Sequence, residues 1–191
     1  MNEKMERWEK SEGIELIKRL GVEEGDAVLD FGAGYGHYTL PAAEVVGREG
    51  IVFAVDKRAD PLAAIGEKAR ERNLINNIKT IKNNGDVMLR FKPNTLDQVL
   101  LFDILHTLGK EKRYLLYKEV HDVLKPGKTL SIYLRHSLKG HHEGYFKEEE
   151  KDELIHEIEE RGFTFDEEIC NTLAHDVELV EGCVLNFTRS V

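Results

Sequence analysis

The sequence predicts an α/β protein built on an open, mostly parallel sheet with helices on both faces. Three observations carry this. Short apolar runs alternate with amphipathic stretches of helical period. The first four apolar runs each lead to an acid, at Asp30, Asp56, Asp86 and Asp103. The first of them, Val28 to Phe31, passes into three alternating glycines, Gly32, Gly34 and Gly36, which let the backbone turn tightly and lie against a ligand with no Cβ between. Strand, glycine-rich turn and helix in that order form a nucleotide site at the carboxyl edge of such a sheet.

Each element follows from local chemistry. A helix is expected from about Ser11 to Leu20, capped by Ser11, striped by Ile14, Ile17 and Leu20, and ended by Gly21. After the glycine turn, Leu40, Ala42, Ala43 and Val46 recur at helical spacing, and Gly47 and Gly50 bracket a break. Ile51 to Val55 is a second buried strand. A helix over 61–73 begins with Pro61 in its first turn, where proline is tolerated. Ile78 to Ile81 gives a third, weaker strand, leading through Asn83, Asn84 and Gly85 to Asp86, and Leu96 to Phe102 a fourth. A helix from Lys110 to Leu124 stops at the turn Lys125-Pro126-Gly127, and Thr129 to Leu134 is the fifth strand. A polar loop over 135–146 precedes a helix from Lys147 to Arg161, closed by Gly162. Last comes an edge hairpin, with Glu181-Gly182 separating Val177–Val180 from Cys183–Thr188.

The 191 residues, 41% of them hydrophobic, suffice for one sizeable core, so a single domain over 1–191 is expected, with 1–25 as a helical cap. No apolar run reaches membrane-spanning length and Met1 to Lys10 is charged throughout, which predicts a cytoplasmic protein with no membrane partner. Cys170 and Cys183, the only cysteines, are expected as reduced thiols. The net charge of −9 divides into +2 over residues 1–142 and −11 over 143–191. That balance argues against a general nucleic-acid binder. The run Lys68, Arg70, Arg72, Lys79 and Lys82 reads as a solvated helix face. Oligomeric state is not encoded in any pattern here.

The chemistry narrows further at the glycines. A dinucleotide site wants Gly-x-Gly-x-x-Gly, whereas this chain has Gly32-x-Gly34-x-Gly36 followed by His37. A nicotinamide-dependent oxidoreductase is therefore the weaker reading, and a non-catalytic binding subunit a further alternative. Asp56, twenty residues past Gly36, offers two carboxylate oxygens to a ribose diol. These residues resemble the class I, Rossmann-like S-adenosylmethionine-dependent methyltransferases, nearest to the small-molecule and quinone-biosynthesis types. The match runs through Leu29-Asp30-Phe31-Gly32-Ala33-Gly34-Tyr35-Gly36, then Asp56, Gly85-Asp86, and Leu124-Lys125-Pro126-Gly127-Lys128.

The resemblance implies a seven-stranded sheet of order 3-2-1-4-5-7-6 with its seventh strand antiparallel, S-adenosylmethionine as cofactor, and a small-molecule acceptor. It implies that the backbone of Gly32 to Gly36 lies along the methionine, with Asp30 ordering the loop or reaching the amino group through water. Asp56 would hold the ribose. Asp86 and the Val87 amide would hold adenine beside Lys57, and the Phe102 carbonyl would meet the ammonium. The acceptor would sit beyond the fourth and fifth strands, near Asp103, His106, Arg135 and His136, with Tyr38, Met5 and Trp8 as walls and the 135–146 loop above. His106 and Asp103 read equally as residues that order the following turn. His136, His141 and His142 lie in one polar loop with no cysteine beside them, so no metal site is expected.

Overall fold

The computed structural model describes residues 3–138 and 145–191. In chain order the elements are α1 (Glu3–Lys10), α2 (Glu12–Arg19), β1 (Ala27–Phe31), α3 (Thr39–Val46), β2 (Ile51–Asp56), α4 (Ala59–Glu71), β3 (Ile78–Lys82), β4 (Leu96–Phe102), a 3-10 turn at Leu105–Thr107, α5 (Lys110–Val123), β5 (Leu124–Tyr133), α6 (Glu148–Glu159), β6 (Phe163–His175) and β7 (Glu178–Arg189). The seven strands form one sheet in the order β3-β2-β1-β4-β5-β7-β6. β1 to β5 are parallel, and β7 runs antiparallel to both β5 and β6. The expected architecture is therefore the one observed.

Every residue of β4 is buried, as the centre of a sheet covered on both faces requires. Its side chains alternate between two cores. Leu100 and Phe102 join Val28, Leu40, Ile65 and the residues of α1 and α2 on one face. Val99 and Leu101 join Leu29, Leu116, Val120, Leu154 and Ile158 on the other, under α5 and α6. Parallel register sets Phe31 beside Val55 and Phe102 beside Tyr133, so the carboxyl ends of four strands open on one edge.

Several sequence expectations are corrected. The cap contains two helices: α1 forms from the charged run 3–10 because Met5 and Trp8 bury against the core and Glu9 is neutralised in place. Ser11 does not cap α2; its hydroxyl donates back to the Arg7 carbonyl. Lys68 and Arg72 are not solvated, since both reach the buried Glu9 carboxylate, at 3.0 and 3.4 Å, beside His37 at 2.7 Å. The Lys125–Gly127 turn lies inside β5 as a bulge: the register steps from Leu96↔Leu124 to Gln98↔Thr129, and Lys125 pairs with Asp97 at 2.8 Å.

The hairpin is longer than expected. Its turn falls at Asp176, which has a left-handed φ of 50°, and Glu181-Gly182 sits within β7. The thirteen-residue β6 occupies 163–175, a stretch with no strand expectation. This register sets Cys170 opposite Cys183, and the two are joined in a disulfide rather than reduced. Among the described residues no helix is long and apolar enough to cross a membrane.

Candidate active site

The chain turns sharply at the end of β1. The amides of Gly32 and Ala33 both donate to the Val55 carbonyl, at 2.8 and 3.0 Å, so the chain folds back over the end of β2. Gly32, Gly34 and Gly36 all take positive φ, of 88°, 49° and 80°. A Cβ at Gly34 would meet nothing nearer than the Gly32 carbonyl at 4.0 Å, so this backbone faces open space.

Two hollows flank the turn and share Gly32. The first is lined by Asp56, Lys57, Gly85, Asp86, Val87 and Ile104 among others. Here Asp56 accepts from the Gly34 amide at 2.9 Å with one oxygen and from the Arg58 amide at 2.8 Å with the other, which ties the tip of the turn to the end of β2. Asp86 accepts from the Met88 amide at 3.2 Å, while Asn83 donates to its carbonyl at 2.9 Å. Each carboxylate is anchored by backbone and retains lone pairs for a ligand. Lys57 is exposed at the rim.

The second hollow is lined by Asp30, Ala33, Gly34, Tyr35, Tyr38, Phe102, Asp103, Tyr133 and His175 among others. Asp30 is buried at 3% exposure and accepts from the Thr39 hydroxyl at 2.5 Å, fixing the first turn of α3. Burial pushes its carboxyl up to about 6, although the Thr39 hydrogen bond pulls the other way. Folded Asp30 therefore holds its proton more tightly than the unfolded chain. It contributes stability below about pH 4 that is lost as pH rises through about 6, a swing of about 3 kcal/mol. Asp30→Asn should remove the swing: the variant should gain on wild type by that amount between pH 4 and 7.5 in denaturant titrations. A constant difference across that range would exclude it.

Tyr38, Phe102 and Tyr133 form an edge-to-face aromatic wall, with centroids 4.5 and 6.1 Å apart. The Tyr38 hydroxyl donates to the Ala174 carbonyl at 2.8 Å, whereas the buried Tyr133 hydroxyl has no partner. Burial raises the Tyr133 hydroxyl to about 12, helped by the charge of Asp103, so it remains a donor at neutral pH. Met5 and Trp8 do not wall the hollow: both are core residues, and Trp8 stands behind Tyr38 at 5.5 Å with its indole donating to the Thr172 carbonyl.

Beyond the aromatic wall lies Asp103, left-handed at φ 49°, a conformation that Asp tolerates better than most residues. One oxygen accepts from the Arg135 and His136 amides at 3.0 and 3.3 Å and stands 3.3 Å from His106 Nδ1. The other lies 2.9 Å from His136 Nδ1 and 3.3 Å from His175 Nδ1. Burial would raise the Asp103 carboxyl, but the His106 imidazole, the Arg135 amide and His136 together hold it below the usual range. Asp103, His106, Arg135 and His136, expected from the sequence, are thus together; His175, at the end of β6, is the partner sequence reasoning missed. The 135–146 segment is closed at its ends by a bridge between His136 and Tyr145 and by Arg135 over the Tyr145 ring at 4.1 Å. His141 and His142 lie outside the described residues.

A family model described as a methyltransferase domain matches residues 28–127. The chain belongs to this methyltransferase family. The matched span runs from β1 to the β5 bulge and so includes the glycine turn, Asp56 and Asp86. Among curated relatives, a demethylmenaquinone methyltransferase of Geobacillus stearothermophilus is 32% identical over 121 residues, 63% of this chain and 48% of that protein. A ubiquinone/menaquinone biosynthesis C-methyltransferase of Blochmanniella floridana is 33% identical over 118 residues, 61% of this chain and 45% of that protein. The chain spans about half the length of these relatives. Among solved structures, a SAM-dependent methyltransferase from Aquifex aeolicus covers 99% of this chain and 98% of its own, with a TM-score of 0.74 at 22% identity, a likeness of fold.

Proposed function

We propose that the protein transfers a methyl group from S-adenosylmethionine to a small-molecule acceptor. The observation that carries this reading is the pair of hollows meeting at Gly32, one rimmed by Asp56 and Asp86, the other by aromatic rings and the Asp103 cluster. The open backbone at Gly34 accommodates a ligand lying against the turn. In this reading Asp56 holds the ribose, Asp86 and the Val87 amide hold adenine over the stem of Lys57, and Gly32 to Gly36 with the Phe102 carbonyl hold the methionine. Asp30 orders α3 through Thr39 rather than touching the ligand. When bound, the cofactor supplies a methyl carbon already made electrophilic by the sulfonium, open to direct in-line displacement. The chain's own contribution is then to align the acceptor and exclude water. The relatives' printed names support an organic acceptor of quinone-precursor type. The acidic segment 143–191, which supplies His175, disfavours a polyanion there.

Asp56→Ala should weaken S-adenosylmethionine binding by about 1.5 to 3 kcal/mol, the value of hydrogen bonds to a charged group, in calorimetric titration. The variant should keep its circular dichroism spectrum, because Asp56 lies at the carboxyl end of β2, outside both cores. NAD should not bind either protein. Undiminished S-adenosylmethionine affinity in the folded variant would remove Asp56 from the site, and NAD binding in preference would replace the cofactor.

A further inference from the structure

We propose that Asp103, His136 and His175 form a binding site for a first-row divalent transition-metal ion, which in turn holds a hydroxyl of the methyl acceptor. These residues come from the ends of three different strands, β4, β5 and β6, and bring one ligand atom each to within 4.8 Å of one another. Asp103 Oδ2 lies 2.9 and 3.3 Å from the two Nδ1 atoms, the spacing of neighbouring donors around an ion with bonds of about 2.1 Å. Two imidazoles and one carboxylate suit zinc, iron, cobalt or nickel in the divalent state rather than magnesium or calcium.

Three further features point to a ligand. The other Asp103 oxygen is fixed by two backbone amides, so the carboxylate is aimed before anything binds. His106 closes the outer side: its ring is 4.6 Å from that of His136, and its buried Nδ1 faces Asp103 without a hydrogen bond. The buried Tyr133 hydroxyl, also without a partner, lines the same hollow. Adjacent histidines within one loop were the weak form of this idea. The strong form needs Asp103 and His175, which only the fold brings to His136.

Three protein ligands leave coordination positions open toward the Tyr38, Phe102 and Tyr133 wall. An acceptor with a phenolic or enolic hydroxyl fits there, its ring on the aromatic wall and its oxygen on the ion. The ion acts as a Lewis acid: the acceptor O–H bond breaks, the proton leaves to water, and the oxygen keeps the electron pair. This acceptor assignment rests on the methyltransferase reading above; the metal site does not.

The test uses the full chain stripped by chelator and titrated with cobalt(II), whose visible d–d bands report nitrogen and carboxylate coordination. Wild type should develop these bands at one equivalent, and catechol should shift them. His136→Ala and His175→Ala should each weaken cobalt binding tenfold or more while S-adenosylmethionine affinity and circular dichroism stay as in wild type. Wild-type protein without cobalt bands, or bands unchanged in both folded variants, overturns the site. Bands that ignore catechol overturn the hydroxyl assignment. Cobalt binding intact in a protein with no S-adenosylmethionine affinity keeps the site and sinks the methyltransferase reading instead.

Discussion

Replacing Glu9 with alanine is expected to destabilise the fold by about 3 kcal/mol, the low end for removing one partner from a buried charge cluster. Glu9 is 2% exposed and gathers His37 from the glycine loop, Lys68 from α4 and Arg72 from just beyond its end. Its loss leaves His37 and Lys68 without this acceptor, while Arg72 keeps its pair with Glu44 at 3.1 Å. Burial alone would raise the Glu9 carboxyl, but His37 and Lys68 outweigh it and hold the group below its usual range. The stabilisation is therefore present above the unfolded value of 4.5 and is lost as pH falls through the lower folded value. Denaturant melts at pH 7 and pH 3 check both parts: the gap between wild type and Glu9→Ala should be large at the first and reduced at the second. Equal stability at pH 7 would mean that the cluster contributes nothing.

Gly36→Val is expected to cost about 2 to 5 kcal/mol, through two independent causes. A Cβ at Gly36 would stand 2.6 Å from Ile65 Cγ1, deep in the core between the turn and α4, and φ is 80°. Overpacking adds about 1 to 3 kcal/mol, and a branched residue in left-handed backbone adds about 1 to 2 kcal/mol. Gly85→Ala is the control. Its φ is 76° but no atom lies within 4 Å, so only the backbone cost remains. Similar melting shifts for the two variants would show that the contact with Ile65 relaxes freely.

β1, β2 and β4 were legible because central strands covered on both faces are mostly apolar, and each here leads directly to an acid. β3 gave a weaker signal because it is an edge strand with Lys79, Thr80 and Lys82 exposed. β6 was not legible, because it is an edge strand: Asp166, Glu167 and Glu168 face away from the core, which breaks the apolar pattern. Missing β6 misplaced the hairpin turn. With the turn at Gly182 the cysteines have no shared register, whereas with the turn at Asp176 they face each other across thirteen residues. The same error hid His175. The glycine turn, Asp56 and Asp86 were readable because they follow strands directly, and so was the grouping of Asp103 with His106 and His136. α1 was hidden by its charge, since the burial of Glu9 depends on cations that arrive from 59 and 63 residues away.

The sheet order carries a consequence for how the chain is made. β7, which follows β5 and β6 in the chain, lies between them in the sheet. Until Arg189 has emerged, β5 has an open flank and β6 has no neighbour in the sheet, so the nascent protein exposes two unpaired edges to the cell. A product cut short before β7 would carry β1 to β5 beside an unsealed seam. The hairpin must therefore pair and dock after β5 is in place, and only then does His175 reach Asp103.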